Sequence, residues 1–313
     1  MRQVKIVGSG SYLPSNKIEN KELEKELELE ENYIQKMTGI EERYYIKDET
    51  IEEMALKAVE NIFQKNKRLS KEEIGLIIVA TTTPDKYMPG IANYIQKELE
   101  IENCNAYDVL AGCDGFVNAF DIASTYIQIG KVRRALIVGV DVLSKYTDKT
   151  DKGTAIILSD GAGAILIEGQ EENKTNIEYF SKIISQGNKN EILTIYNGEK
   201  IYMNGKEIYK YAVTEPVKII NDILNEAGIS VNQVKYIIPH QSNERIMKAI
   251  ANRLKIPKEK MYTSIRNTGN TFCASIPIAL DQMSEENLLK EGDKIILLGY
   301  GGGLNTGAIL LGI

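Results

Sequence analysis

ALIVG at residues 135–139 returns as IILLG at residues 295–299, 160 positions later. Each is an aliphatic, partly β-branched run closed by glycine, which reads as a strand buried on both faces. The same offset lays Leu69-Ser70, Ile74 and Ile77-Ile78 on Ile229-Ser230, Val234 and Ile237-Ile238, in both places a helix end, a turn and a buried strand. It also lays Cys113 on Cys273. Further on the register shifts: Gly163-Ala164-Ile165-Leu166 matches Gly307-Ala308-Ile309-Leu310 at an offset of 144, so the first half carries 16 extra residues (160 against 144) around positions 144–160. Amphipathic stretches at helical spacing, such as 51–63 and 213–227, separate the apolar runs. The pattern predicts an α/β fold of two similar halves, residues 1–173 and 174–313, packed as layers about a pseudo-twofold axis. No low-complexity linker divides the halves, so they are expected to behave as one rigid body. The opening MRQVKIVGSGSYLP reads as a strand running into a glycine-rich turn, and the acidic stretch Glu22–Glu31 as a solvated helix face.

A formal net charge of −6 over 313 residues, with the signs interspersed, argues against nucleic acid or a membrane surface as a partner. Three cysteines in so long a chain do not suggest a disulfide framework, and a reducing cytoplasm is expected. No basic segment followed by an apolar one opens the chain. No apolar run approaches the roughly 18 residues of a membrane helix.

Cys113 stands between a short strand, Ala106–Leu110, and apolar residues at helical spacing, Phe116, Ala119, Phe120 and Ala123. The N–H groups and dipole of a helix start favour a thiolate, so Cys113 is either a nucleophile or a small buried residue. His240 is the only histidine, so thiol chemistry needing an imidazole must use it. It ends the buried run 234–239 just before a helix at 243–254, where α/β proteins build sites, although a lone histidine is also a common structural residue. The repeat brings the Cys113 segment and the His240 loop towards a common interface. Asn270 precedes a helix symmetry-related to the one after Cys113; its amide is either a donor for an enolate oxygen or a turn cap. The glycine-rich GYGGGLNTG (299–307) fails the dinucleotide fingerprint, because a strand-like run and not a helix follows it. Its backbone N–H groups are candidates for holding a substrate oxygen, while Asp160-Gly161-Ala162-Gly163-Ala164 is its structural counterpart.

AGCDGF, IPHQSNERI, NTGNTFCASIP and GYGGGLNTG, together with SGSYLP, TGIEER and VATTTPDKYMP, resemble the signature regions of β-ketoacyl-ACP synthase III of the thiolase superfamily along the whole chain. The resemblance implies a five-layered αβαβα fold, a homodimer, and decarboxylative condensation of an acyl-CoA or carrier-bound acyl group with malonyl-ACP, without metal or cofactor. The pathway is fatty-acid initiation or a specialised, polyketide-like one. It implies that Cys113 takes the acyl group, that His240 and Asn270 stabilise the malonyl enolate, and that the N–H groups of Cys113 and Gly302 hold the thioester oxyanion, the helix start lowering the thiol pKa. Substrate contacts are implied at Tyr33, Met37, Lys152, Asn243, Phe272 and Tyr300. Met88 resembles the residue contributed to the acyl pocket across the dimer. Arg245, Lys248 and Arg253, with Lys255, form a basic cluster that is either a solvated face or a dock for an acidic carrier protein.

Besides Met88, which stands at a position aromatic in the family, three departures from the family pattern bear on function. Asp114 follows the cysteine, and raises the thiol pKa if it points at the sulfur or favours the helix dipole if it points outward. Tyr33 and Met37 stand where tryptophan and arginine sandwich the adenine of CoA. Phe272-Cys273 replaces smaller residues. These differences imply a primer other than acetyl-CoA. Cys, His and Asn in this order also occur in papain-like proteases, but the local signature of such a cysteine is absent. Two rivals within reach of the motifs are a non-decarboxylating acyltransferase, which would not need Asn270, and a catalytically silent carrier-binding subunit, which would not need Cys113.

Overall fold

The computed structural model describes residues 2–170, 179–196 and 198–313. The expected boundary at 173/174 lies outside the described residues. Five strands form the first sheet in the spatial order Gln3–Tyr12, Gly161–Gln170, Arg134–Asp141, Ile74–Ala80 and Asn105–Val109. Four form the second, in the order Tyr236–Pro239, Lys294–Gly301, Asn305–Gly312 and Phe180–Ser185. The two stretches matched at the outset occupy equivalent places. Arg134–Asp141 runs parallel to Ile74–Ala80 and antiparallel to Gly161–Gln170, and Lys294–Gly301 runs parallel to Tyr236–Pro239 and antiparallel to Asn305–Gly312. Where the first sheet has its strand Asn105–Val109, the described residues of the second show a bridge from Ile237 to Met261.

Helices complete five layers. The helix Ile51–Lys65 buries Met54, Ala58 and Ile62 against the outer face of the first sheet. Thr50 caps it and Glu53 bonds back to Thr50 N–H, satisfying two otherwise orphaned donors. Between the sheets lie Gly115–Gln128 and Ser275–Glu285, whose Phe116, Phe120, Ile276 and Met283 share one core with Leu76 and Leu297 of the two sheets. Glu215–Glu226 and Glu244–Leu254 cover the outer face of the second sheet through Ile219, Ile223, Met247 and Ile250. Middle helices enclosed by two sheets must be apolar nearly all round, which is why Gly115–Gln128 shows only a weak polar face.

The glycines ending the two matched stretches explain how the halves close on each other. A Cβ at Gly139 would lie 2.1 Å from the Cys273 carbonyl oxygen, and one at Gly299 would lie 2.7 Å from Asp114 Cβ. Each sheet thus receives the helix-leading turn of the opposite half, at a distance only glycine permits.

Two local readings are corrected. The strand Gln3–Tyr12 continues through its glycines without turning, with only a register shift between Ile6 and Gly8, and Gly10 faces the helix Ile51–Lys65, with Ala58 O only 2.2 Å from where a Cβ would stand. The acidic stretch is not one solvated helix face: its helix is Asn20–Glu26, and Glu24 is buried and accepts the N–H groups of Asn32 and Ile34 at 3.1 and 2.9 Å. Among the described residues no helix is long and apolar enough to cross a membrane.

Candidate active site

Cys113 sits in a single 3-10 turn, Gly112–Asp114, leading into the helix Gly115–Gln128. His240 follows directly on the strand Tyr236–Pro239, its N–H donating to Leu298 O at 2.7 Å. Asn270 bridges to Leu158 and exchanges backbone bonds with Ile157 O and Ser159 N–H, both at 2.9 Å. These three segments converge on one cavity of about 490 Å³, lined by Cys113, His240 and Asn270 together with Tyr33, Met37, Lys152, Asn243, Arg245, Phe272 and Tyr300. The 144–160 excess of the first half supplies Lys152, Thr154, Ile156, Ile157 and Leu158 to its wall. A second cavity, about 530 Å³, meets the first at Cys113, Leu193 and Phe272, and is lined further by Thr82, Tyr87, Tyr146, Tyr196, Gly302 and Asn305.

Backbone and second-layer contacts fix the polar groups. His240 Nδ1 is 2.7 Å from Ser275 Oγ, which also accepts Gln241 N–H at 3.3 Å. Tyr300 donates its hydroxyl to His240 O at 3.1 Å, lies 3.0 Å from Ser242 Oγ, and stands edge-on to the imidazole at 5.4 Å. Gln241 is buried and bonds Pro239 O and Ser264 N–H, pinning the loop. Asn270 Oδ1 accepts Phe272 N–H at 3.0 Å, so the turn-capping role and a free amide NH₂ coexist in one side chain. Gly301 stands against the cysteine: a Cβ there would lie 2.6 Å from Cys113 Cβ and 2.8 Å from Sγ.

Electrostatically the site differs from expectation at two points. Burial pushes the Cys113 thiol up to about 12; the N–H groups of Gly302 and Cys113 favour the thiolate, and the Asp141 and Asp114 carboxylates oppose it. Desolvation therefore outweighs the helix start, and the resting group is a thiol. Asp114 points neither outward nor freely at the sulfur. It is fully buried, accepts from Asn118 Nδ2 at 2.8 Å, leaves Oδ1 without a hydrogen bond among the described residues, and is raised by burial to about 7, with the Asn118 and Asn305 amides acting in the opposite direction. Burial also lowers His240 to about 3, so the imidazole is neutral.

Not every expected residue meets the cavities. Met88 is exposed and lines neither in its own chain. Lys248 pairs with Glu244 at 2.8 Å and Arg253 reaches Thr214 Oγ1 at 3.4 Å, so of the basic cluster only Arg245 lines the cavity. The roles of Ser275, Leu193 and Lys206, and the second cavity beyond Cys113, Phe272 and Gly302, do not follow from the motifs. Ser275 carries a signal all the same: at the 160-residue offset it replaces Gly115, a break in the repeat beside the two cysteines. Among the described residues no group of three or more His, Cys, Asp or Glu could hold a metal ion.

Comparison with known proteins agrees with the motifs. The family model of 3-oxoacyl-[acyl-carrier-protein] synthase III matches residues 107–194, and that of its C-terminal part matches 224–313. A β-ketoacyl-[acyl-carrier-protein] synthase III of Aquifex aeolicus is 40% identical over 98% of both chains. The chain belongs to the 3-oxoacyl-[acyl-carrier-protein] synthase III family. The crystal structure of a synthase III from Aquifex aeolicus superposes with a TM-score of 0.94, covering 99% of this chain and 100% of that one at 40% identity. The priming β-ketosynthase of the R1128 polyketide pathway also superposes, with a TM-score of 0.92 at 27% identity, covering 100% of this chain and 96% of that one. Membership brings the five-layered αβαβα fold with it, and the order of the sheets and helices described above is that fold.

Proposed function

We propose that the chain is a β-ketoacyl-ACP synthase III that transfers an acyl group from an acyl-CoA or acyl-carrier thioester to Cys113 and condenses it, with loss of carbon dioxide, with malonyl-ACP. The observation that carries this reading is the convergence of Cys113, His240 and Asn270, from three distant segments, on one cavity. In the first step Cys113 Sγ attacks the donor carbonyl, the N–H groups of Cys113 and Gly302 hold the oxyanion, and the thiol of CoA or carrier leaves with the proton. A neutral, buried thiol becomes a nucleophile only as its proton departs, so these donors act on charge that develops during the reaction and not on a standing thiolate.

Malonyl-ACP then occupies the cavity beside His240 and Asn270. Ser275 Oγ already accepts Gln241 N–H, and we assign its own proton to His240 Nδ1, which leaves the ring proton on Nε2 facing the cavity. Asn270, its Oδ1 committed to Phe272 N–H, offers Nδ2 donors. Nε2–H and Nδ2–H together hold the malonyl thioester oxygen as the C–C bond to carbon dioxide breaks. The enolate carbon then forms its bond to the acyl carbonyl carbon and the Cys113–acyl bond breaks, releasing the sulfur as a thiolate that takes a proton from water to restore the resting thiol. Every step uses side chains and backbone N–H groups of this chain.

The same reading keeps the division into halves 1–173 and 174–313, a homodimer in which Met88 reaches the partner's acyl pocket, and a cytoplasmic location. Tyr33 and Met37 at the cavity wall are the contacts for the CoA end, and Arg245, the exposed cation of the basic cluster that lines the cavity, is the contact for the carrier. Intact-mass measurement after incubation with acyl-CoA and acyl-carrier donors tests the assignment. One acyl group is expected on Cys113, none on Cys104 or Cys273, and none at all in Cys113→Ala; an adduct that persists in Cys113→Ala contradicts the reading.

A further inference from the structure

At the 160-residue offset Phe272 stands where the first half has Gly112, each immediately before its cysteine. Both backbones are left-handed, with φ of 68° at Gly112 and 44° at Phe272. The turn demands that conformation in both halves. Glycine adopts it freely, whereas a side chain with a Cβ is strained there. The backbone of Phe272 has its own task, donating N–H to Asn270 Oδ1 at 3.0 Å, and glycine would perform it equally well. The benzyl group must therefore be explained separately.

Its surroundings supply the explanation. The ring is buried, 4% exposed, and stands edge-on to the His240 imidazole at a centroid distance of 6.5 Å and an interplanar angle of 77°. With Cys113 and Leu193 it is one of the three residues shared by the 490 and 530 Å³ cavities. The first cavity holds His240 and Asn270 and must receive malonyl-ACP, so an acyl group on Cys113 has to clear it and extend into the second. To do so it passes between the Phe272 ring and Leu193. That passage has no polar group on either of these two walls, so it sorts acyl groups by shape.

We propose that the Phe272 side chain is the specificity-determining wall beside Cys113, admitting unbranched acyl chains and opposing those branched or aromatic next to the thioester carbonyl. The inference rests on the reading of Cys113 as the acylated residue. Misfit of even one methyl group in such a passage is worth about tenfold or more in rate.

The test is the rate of Cys113 acylation, followed by intact mass, for the full chain and for Phe272→Ser and Phe272→Leu, with acetyl-, hexanoyl-, isobutyryl- and benzoyl-CoA. The parent is expected to take isobutyryl and benzoyl more slowly than acetyl. Phe272→Ser is expected to raise the isobutyryl-to-acetyl and benzoyl-to-acetyl ratios about tenfold or more, with the hexanoyl-to-acetyl ratio moving far less. Phe272→Leu, which stays apolar and close in volume, is expected to move the same ratios in the same direction by less, and carries the test if the serine variant does not fold. A purely structural role would slow all donors alike and leave the ratios in place. Unchanged ratios with acetyl transfer intact, or a parent that takes benzoyl as fast as acetyl, overturn the inference. A parent that forms no Cys113 adduct with any donor overturns the assignment of Cys113 instead.

Discussion

Asp114 is the residue whose behaviour departs furthest from local sequence rules. A carboxylate in the first turn of a helix ordinarily turns outward and gains from the dipole. Here the turn is covered by Gly299 of the opposite half, the carboxyl is sealed in, and burial raises it to about 7 from an ordinary 3.8. In the folded chain it therefore holds its proton across a range in which the unfolded chain has lost it. The folded state binds the extra proton between these two values, so stability falls as pH rises through that window and the loss is complete above 7. Asp114→Asn keeps an acceptor for Asn118 and removes the penalty, which is on the order of 2–4 kcal/mol at neutral pH. Thermal unfolding of the two proteins is expected to show the variant gaining more at pH 8 than at pH 5, and an equal gain at both would refute the buried titration. The carboxylate that forms above pH 7 also opposes negative charge on Cys113, so the rise of the acylation rate with pH is expected to flatten there in the parent and to continue in Asp114→Asn.

At the level of single elements, sequence periodicity accounts for most of what the structure contains. The helical spacings at 51–63, 213–227 and 243–254 correspond to Ile51–Lys65, Glu215–Glu226 and Glu244–Leu254, the last capped by Asn243 accepting Arg245 N–H. These succeed because a helix with one buried stripe writes its period into the chain. The errors, Glu24 and the glycines of the first strand, arise where a neighbour distant in sequence sets the environment. The second cavity is invisible in the sequence for the same reason: its walls come from segments near 82–87, 110–113, 193–196 and 302–305, and although three of these fall within the quoted motifs, nothing in the chain shows that they meet. The loop from Tyr300 to Gly303 is legible in composition, and its strictness comes from packing. Since a Cβ at Gly301 would overlap the cysteine, Gly301→Ala is expected to displace Cys113 from the Gly302 N–H and to slow acylation about 10²-fold or more, the usual cost of losing an oxyanion donor. Rapid-quench acylation kinetics at saturating donor check this, and a parental rate would show that the loop yields.

On the scale of the whole molecule the repeat is the most informative signal in the sequence. The 160-residue offset puts Gly139 and Gly299, Cys113 and Cys273, and Gly112 and Phe272 in equivalent positions, and the two sheets pair their strands accordingly. What the repeat cannot convey is how the halves diverged. In the proposed reading one turn holds the nucleophile, while the other holds a cysteine whose Sγ donates to Gly112 O at 3.0 Å, buried and raised well above its ordinary value. The proposed mechanism follows that asymmetry, giving one half the uptake of the acyl group and the other the malonyl oxygen. The central claim is that these two tasks are separate, and Asn270→Ala measures it most directly. With acyl donor and malonyl-ACP supplied, acylation of Cys113 and release of carbon dioxide are followed in the same sample. The account predicts acylation within a few-fold of the parent and carbon dioxide release slowed about 10²–10³-fold. Carbon dioxide release at the parental rate in Asn270→Ala would contradict it, and a parent that acylates Cys113 but releases no carbon dioxide would leave a non-decarboxylating acyltransferase as the better description.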